Sequence, residues 1–385
     1  MDDIRLSACL IVRNEERHIR DCLLSLQPLV DEIVLVDTGS TDRTPEIAME
    51  FGARMYSFPW RRDFSAARNE ALQHARGRWI LSIDADERLR PSAPAVIGEI
   101  TGDETNIAWT VLEYVRKGYT AVRMMRLFRR DPRIRYRGLV HETVNETVRD
   151  VCREEGRETG DSPLVIDHLG YEGDMKSKHR RYLPLLKREI ERNPDNARNW
   201  HNTALRYYTI GDTVSSEQAF RTCIELGRND HNPYPSFADA YRNLIQIHLA
   251  EGKETKTLLE EAISRFPDNP SLVWLKGKSL IRDKSYSEAI TCFEWLLGRR
   301  ETDDFDRSSP HDIRIFSSAA YAGIAACYFR LGEYGRAAVI YAKAHEQAPD
   351  SMEYRVKRDL CLSRAHAGNN HANHFRHPGP KMGRA

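Results

Sequence analysis

Three aspartates stand where this sequence could do chemistry. Asp37 opens the turn-rich run Asp37-Thr-Gly-Ser-Thr-Asp42, and Asp84 and Asp86 form a D-x-D pair within Asp84-Ala-Asp-Glu87. Two carboxylates at i and i+2 of a tight turn can reach one ion, and a hard divalent cation with oxygen ligands can bridge the oxygens of a diphosphate. Direct phosphate cradles are missing. Val12-Arg-Asn-Glu-Glu16 follows the first apolar run where G-x-G-x-x-G would be needed, and G-x-x-x-x-G-K-[ST] occurs nowhere. The residue types therefore point to a phosphate-bearing ligand held through a metal.

The elements around these residues decide what the D-x-D pair is worth. Apolar runs at 6–12, 32–36, 54–58 and 79–83 read as strands, and stretches at 14–26, 44–51 and 64–75 read as helices. Strand and helix in alternation predict an α/β domain with a mostly parallel sheet covered on both faces. Ligands bind such sheets outside the carboxyl ends of the strands. Asp37 follows the second strand, and Asp84 and Asp86 follow the fourth, so all three fall on that edge. One Asp after a strand is ordinary turn chemistry. Three on one edge are a candidate site.

Composition removes other classes. The 385 residues exceed what one hydrophobic core usually organises, so two domains are expected. Fifty-eight Lys+Arg against 57 Asp+Glu leave a charge of +1, which gives no global electrostatic case for nucleic acid. No apolar run approaches the roughly 20 residues of a transmembrane helix. Met1-Asp-Asp-Ile-Arg5 lacks the layout of a signal peptide, so a cytoplasmic location is expected. Seven scattered cysteines without a C-x-x-C pair read as buried hydrophobes in a reducing compartment.

Four segments together resemble the nucleotide-sugar half of a family 2 inverting glycosyltransferase of the GT-A fold. They are Leu10-Ile-Val-Arg-Asn-Glu-Glu16, Val34-Leu-Val-Asp-Thr-Gly-Ser-Thr-Asp42, Asp63-Phe-Ser-Ala-Ala-Arg-Asn69 and Ile83-Asp-Ala-Asp-Glu87. The likeness continues through Arg126-Leu-Phe-Arg129, Tyr136-Arg-Gly-Leu-Val-His-Glu142 and His168-Leu-Gly-Tyr171. It is greatest to the soluble subgroup with helical repeats behind the catalytic domain, which includes bacterial enzymes glycosylating peptides on cysteine. The resemblance implies that Asp37 meets the uracil or ribose of a UDP-sugar, bordered by Val12, Arg13, Asn14, Glu15 and Asp42. Arg68 would approach the diphosphate or nucleotide, and Asn69 would help shape that loop. Asp84 would contact ribose and metal, Asp86 would be the main ligand of Mg2+ or Mn2+, and His168 would return to the metal. Glu142 would be the general base; the usual Glu-Asp pair is here His141-Glu142, which keeps His141 open as an alternative.

One competing chemistry shares the D-x-D. Haloacid-dehalogenase-type phosphatases place it at the end of the first strand as D-x-D-x-T, whereas here three strands precede it and Arg88 takes the threonine position. The stretch 116–137 is strongly basic, with thin aromatic interleaving, so it reads as a solvated face rather than a nucleic-acid platform. Arg126 is the first choice within it for contact with the donor diphosphate or an acidic acceptor.

From about residue 195 the strand signals stop and a period of about 34 residues appears, the signature of tetratricopeptide helix pairs. The clearest unit runs Tyr321, Ala325, Tyr328, Gly332, Tyr334, Ala337; others lie around Trp274–Phe293, Trp200–Phe220 and Tyr241–Pro267. The expected organisation is a GT-A domain at 1–175, a linker helix at 176–195, repeats at 196–365 and a disordered tail at 366–385. Such repeats expose a groove that commonly binds peptide or protein. The leading expectation is a metal-dependent inverting transfer of a sugar from a nucleoside-diphosphate sugar to a peptide, protein or glycan. The alternative is a repeat-based interaction module whose α/β domain senses nucleotide without catalysis.

Overall fold

The computed structural model describes residues 4–91, 94–169, 175–230, 234 and 236–374. The N-terminal half opens with β1 (Leu6–Val12), α1 (Ile19–Leu26), β2 (Glu32–Asp37), α2 (Thr44–Glu50), β3 (Arg54–Ser57), α3 (Phe64–His74) and β4 (Trp79–Ser82). β1 alternates its faces. Leu6, Ala8, Leu10 and Val12 pack with α1 residues Ile19, Cys22 and Leu23, while Cys9 packs with Val34 and Val36 of β2 and Ala71 and Leu72 of α3 on the other side. A period of two across a sheet buried on both faces produces this double core.

Helix α1 starts later than the charged stretch at 14–26 suggests. Asn14 sits in left-handed backbone (φ 58°), its Oδ1 accepts from Thr41 N (2.7 Å), and Glu15 N donates to Thr44 Oγ1 (2.7 Å). These bonds lace the loop after β1 to the loop after β2, so the backbone groups a helix would use are already engaged.

The chain continues through β5 (Glu87–Leu89), α4 (Pro94–Gly102), β6 (Asn106–Tyr114), β7 (Val122–Arg129), α5 (Asn145–Glu155) and β8 (Glu158–His168). One sheet results, in the order β3-β2-β1-β4-β7-β6-β8-β5. The first four strands are parallel, as expected; the second half is mixed, with β7 antiparallel to β4 and β6, β8 parallel to β6, and β5 antiparallel to β8. The seven cysteines are unpaired, and five of them are buried.

Then come α6 (Met175–Arg192) and helices paired in sequence: α7 (Ala197–Ile210) with α8 (Thr213–Gly227), α9 (Ala238–Ala250) with α10 (Lys256–Arg265), α11 (Pro270–Arg282) with α12 (Tyr286–Thr302), and α13 (Ser318–Arg330) with α14 (Tyr334–Gln347). A 3-10 turn at Ile313–Phe316 precedes α13, and α15 (Met352–His374) closes the array. The small residues of the repeat serve close approach. A Cβ on Gly277 or Gly323 would come within 2.7 Å of the Phe293 ring, so the two glycines let α11 and α13 close on one phenyl.

Two expectations about organisation change. The chain divides into two compact units, one running to Ala240 and taking in Arg307–Pro310, the other holding Tyr241–Asp306 and the chain from His311. The expected break at 176–195 falls inside the first unit, because Leu185 and Leu186 of α6 are buried against Leu139 and Val140. The tail expected to lose order at His366 is helical to His374; residues 375–385, and Gly170 and Tyr171 of the resemblance, lie outside the described residues.

Candidate active site

The D-x-D turn is held from below. Asp84 N donates to Glu87 Oε2 (2.8 Å), and the Arg88 guanidinium donates to the carbonyls of Ala85 (2.9 Å) and His18 (2.7 Å). Arg88, which breaks the phosphatase pattern, thus ties the turn to the start of α1. β5 then pairs with β8 so that Glu87 opposes His168, and Leu169 N donates to Asp86 O (2.9 Å). That pairing carries His168 back to the aspartates despite its distance in sequence.

A continuous ion network covers this edge. Arg68, on α3, donates from Nε to Glu142 Oε1 (2.5 Å) and from Nη2 to Asp84 Oδ1 (2.7 Å), with the Tyr136 ring 5.4 Å from its guanidinium carbon. Arg126, on β7, donates to Glu87 Oε1 (2.5 Å) and Glu113 Oε2 (3.1 Å), and its Nη1 is 3.9 Å from Asp84 Oδ2. His168 donates from Nδ1 to Glu113 Oε1 (3.0 Å), and its Nε2 is 3.5 Å from Asp86 Oδ2. Arg68 is 8% exposed and Glu87 is fully buried, so little water screens these charges.

The network sets its own protonation. Burial works to raise the Asp84 carboxyl, but the Arg68 and Arg126 guanidiniums overcome it and hold it at about 2. Burial pushes Glu87 up to about 8 against the pull of Arg126, with Asp84 and Glu113 adding repulsion. Burial disfavours a charged His168, yet its hydrogen bonds to Asp86 and Glu113 carry it up to about 10. Five carboxyl groups (Asp84, Asp86, Glu87, Glu113 and Glu142) thus share two guanidiniums (Arg68 and Arg126) and one imidazole (His168).

The donor set fits a divalent cation at one end only. Glu87, Glu113 and His168 come close enough to share an ion, but the Arg126 guanidinium already lies against both glutamates. Asp86 and the Nε2 of His168 form the other end, where both side chains are partly exposed, at 22% and 18%. A carboxylate oxygen with an imidazole nitrogen suits Mn2+ better than Mg2+. Binding there would displace the Nε2 proton.

The nucleotide edge is separate. Asp37, at the end of β2, accepts from Ser40 N (3.0 Å) and Ser40 Oγ (2.6 Å). β1 lies between β2 and β4, so Asp37 and the D-x-D turn stand roughly 10 Å apart, two inter-strand spacings. Val12 O accepts from Thr38 N and Thr38 Oγ1, while the Arg13 side chain is exposed. Asp42 is engaged locally, by Glu16 N (3.1 Å) and by Thr44 N and Oγ1 (3.0 and 2.6 Å). Glu142 arrives on a loop closed by a bridge between Arg137 and Thr143, where Gly138 takes φ +105° that a side chain would resist. Asn69 anchors that segment by pairing both its amide atoms with the Tyr136 backbone.

The family Glycosyl transferase family 2 matches residues 7–152, which hold every charged residue of this site named above except His168 on β8. Residues 7–152 are a family 2 glycosyl transferase domain. Tetratricopeptide-like helices follow it. A TPR repeat-containing protein of Synechococcus elongatus is 34% identical over 68% of this chain and 65% of its own length. The glycosyltransferase SunS of Bacillus subtilis is 28% identical over 51% of this chain and 47% of its own, and the lipopolysaccharide core biosynthesis glycosyltransferase LpsC of Rhizobium meliloti is 30% identical over 42% and 65%. The chain therefore spans about half to two thirds of the length of these relatives.

The structure brings Asp84, Asp86, Arg68, Arg126, His168 and Glu142 into one network and leaves Asp37 across β1. It turns Arg68 and Arg126 to carboxylates rather than outward. Sequence reasoning missed Glu87 and Glu113. Glu87 stood in the quoted motif; Glu113, a lone acid in the apolar strand Asn106–Tyr114 and 2% exposed, was the available signal.

Proposed function

We propose that the chain is a metal-dependent inverting glycosyltransferase, taking a nucleoside-diphosphate sugar, with UDP as the first nucleotide to test, and a peptide, protein or glycan acceptor. The observation that carries this reading is the pairing of a carboxylate with an imidazole, Asp86 and His168, 3.5 Å apart and partly exposed on the strand edge where a diphosphate would lie. Asp37 and the loop at Val12–Glu15 would hold the nucleoside, and Asp86 with His168 would hold Mn2+ or Mg2+. The bound cation would neutralise the departing diphosphate. Arg68 holds both Asp84 and Glu142 in place through its guanidinium hydrogen bonds. Glu142 is the group assigned to take the acceptor proton as the nucleophile attacks the anomeric carbon opposite the leaving group.

The names of the relatives support a glycosyltransferase and, for LpsC, a glycan product; the acceptor here is open to a panel. UDP should raise the melting temperature only with a divalent cation present, and the same mixture should hydrolyse a UDP-sugar slowly. Equal stabilisation in EDTA would remove the metal bridge from the reading. Metal-dependent binding without hydrolysis or transfer of any donor would favour the nucleotide-sensing module.

A further inference from the structure

The loop that carries Glu142 is held from behind by helices that the sequence assigns to the linker and the repeats. Within it His141 takes φ 56°, left-handed backbone at a residue with a Cβ. That conformation is strained for a residue with a Cβ and persists where the surroundings over-determine it. Here those surroundings are α6 and α7. Leu139 N donates to Glu189 Oε1 (3.0 Å), and Arg198 Nη2 donates to the carbonyl oxygen of His141 (2.5 Å). The Arg206 guanidinium meets His141 Nε2, and the Tyr182 ring stands edge-on to the imidazole at 6.3 Å.

A guanidinium can only donate. The nitrogen that faces Arg206 must therefore be an acceptor, which puts the imidazole proton on Nδ1 and occupies the basic lone pair. Glu142, the next residue, turns instead to Arg68.

We propose that Arg198 and Arg206 are positioning residues of the active site: they fix the 138–142 loop with Glu142 toward Arg68, and Arg206 removes His141 as a base. The effect on turnover rests on the transferase reading; the loop geometry and the tautomer do not. The compact unit holding the sheet extends to Ala240 and so includes both arginines. A helix pair with the repeat's pattern thus serves the catalytic loop directly.

The test uses the full-length protein labelled with 15N-histidine. His141 should show the Nδ1–H tautomer at neutral pH, and Arg206→Ala should release it to exchange tautomers. In turnover, Arg206→Ala should lower kcat about 10–100-fold with UDP affinity unchanged, as misplacement of a reacting group does. Arg206→Lys, which keeps a cationic donor, should recover most of that loss and guards against a variant that fails to fold. His141→Gln should lose no more than Arg206→Ala. An Nε2–H or doubly protonated His141 in the wild-type protein overturns the proposal whatever the enzyme does. So does a His141→Gln loss as large as that of Glu142→Gln. The stated tautomer in a protein that turns over no donor upholds the clamp and discards the transferase reading.

Discussion

The two ends of the parallel strands both bury acid beside arginine, and they settle it differently. At the amino end stands Glu32, the first residue of β2. Its Oε2 accepts from Ser7 Oγ (2.5 Å) and Arg76 N (2.9 Å), its Oε1 meets Arg54, and Gly77 N donates on to Ser7 Oγ (2.8 Å). One carboxylate has a full set of donors, and nothing there asks for a ligand. At the carboxyl end five carboxylates share two guanidiniums and one imidazole, and Arg126 alone serves three of them. Buried charge is common to both ends. Imbalance is particular to one, and it is the imbalance that marks a binding site.

The comparison can be broken most directly at Asp86. Asp86→Ala should abolish the metal-dependent part of UDP stabilisation and turnover with it, while the metal-free melting temperature falls only slightly, through the lost pairing with His168. Loss of stability with intact metal response would place Asp86 with Glu32 as a structural acid. Glu142→Gln should lower turnover by roughly 10²–10⁴ with donor affinity barely changed; a thiol acceptor, already partly ionised, would shrink that loss. Calorimetry of UDP–Mn2+ binding beside steady-state rates separates the two quantities.

Arg68→Met strips the shared counter-charge from Asp84 and Glu142. Unfolding in urea should show a loss of about 3–5 kcal/mol, the usual result of leaving a buried charge unpaired. At the other end Glu32→Gln should cost about 1–3 kcal/mol and leave kcat unchanged. A smaller loss at Arg68 than at Glu32 would contradict the view that the carboxyl-end network is the more strained.

pH should separate the ends further, in EDTA. Burial works to raise the Glu32 carboxyl, but its bonds to Ser7, Arg76 N and Arg54 keep it below the usual range. A depressed carboxyl contributes stability above its unfolded value and loses it as pH falls through the folded value. Glu87 and His168 are raised, to about 8 and about 10 from ordinary values of 4.5 and 6.5. Their contributions are complete below those ordinary values and fade as pH rises through 8 and 10. Urea titrations across pH should therefore find a shallower acid limb in Glu32→Gln and a shallower alkaline limb in Glu87→Gln. The smallest effect is expected at Asp42, whose carboxylate is occupied by Glu16 N and Thr44; Asp42→Ala should leave UDP affinity unchanged.

The sequence by itself determined the local elements and the edge. Alternating apolar runs predict the strands β1 to β4, and carboxylates after β2 and β4 predict the binding edge, because strand period and turn chemistry act over a few residues. The helical repeat is legible for the same reason: small and aromatic residues recur at a fixed spacing. Only the tertiary structure decided which acids are shared. Pairing of β5 with β8 places His168 beside Asp86, and antiparallel β6 and β7 bring Glu113 and Arg126 to Glu87, contacts between residues far apart in the chain that no local pattern encodes. It also decided the role of Arg68 and Arg126, since a guanidinium goes to whichever carboxylates the fold buries next to it. The division at Ala240 has the same origin: the repeat period assigns α7 to the solenoid, but Arg198 and Arg206 find their partners on the loop of Glu142, and packing, not period, sets where one unit ends.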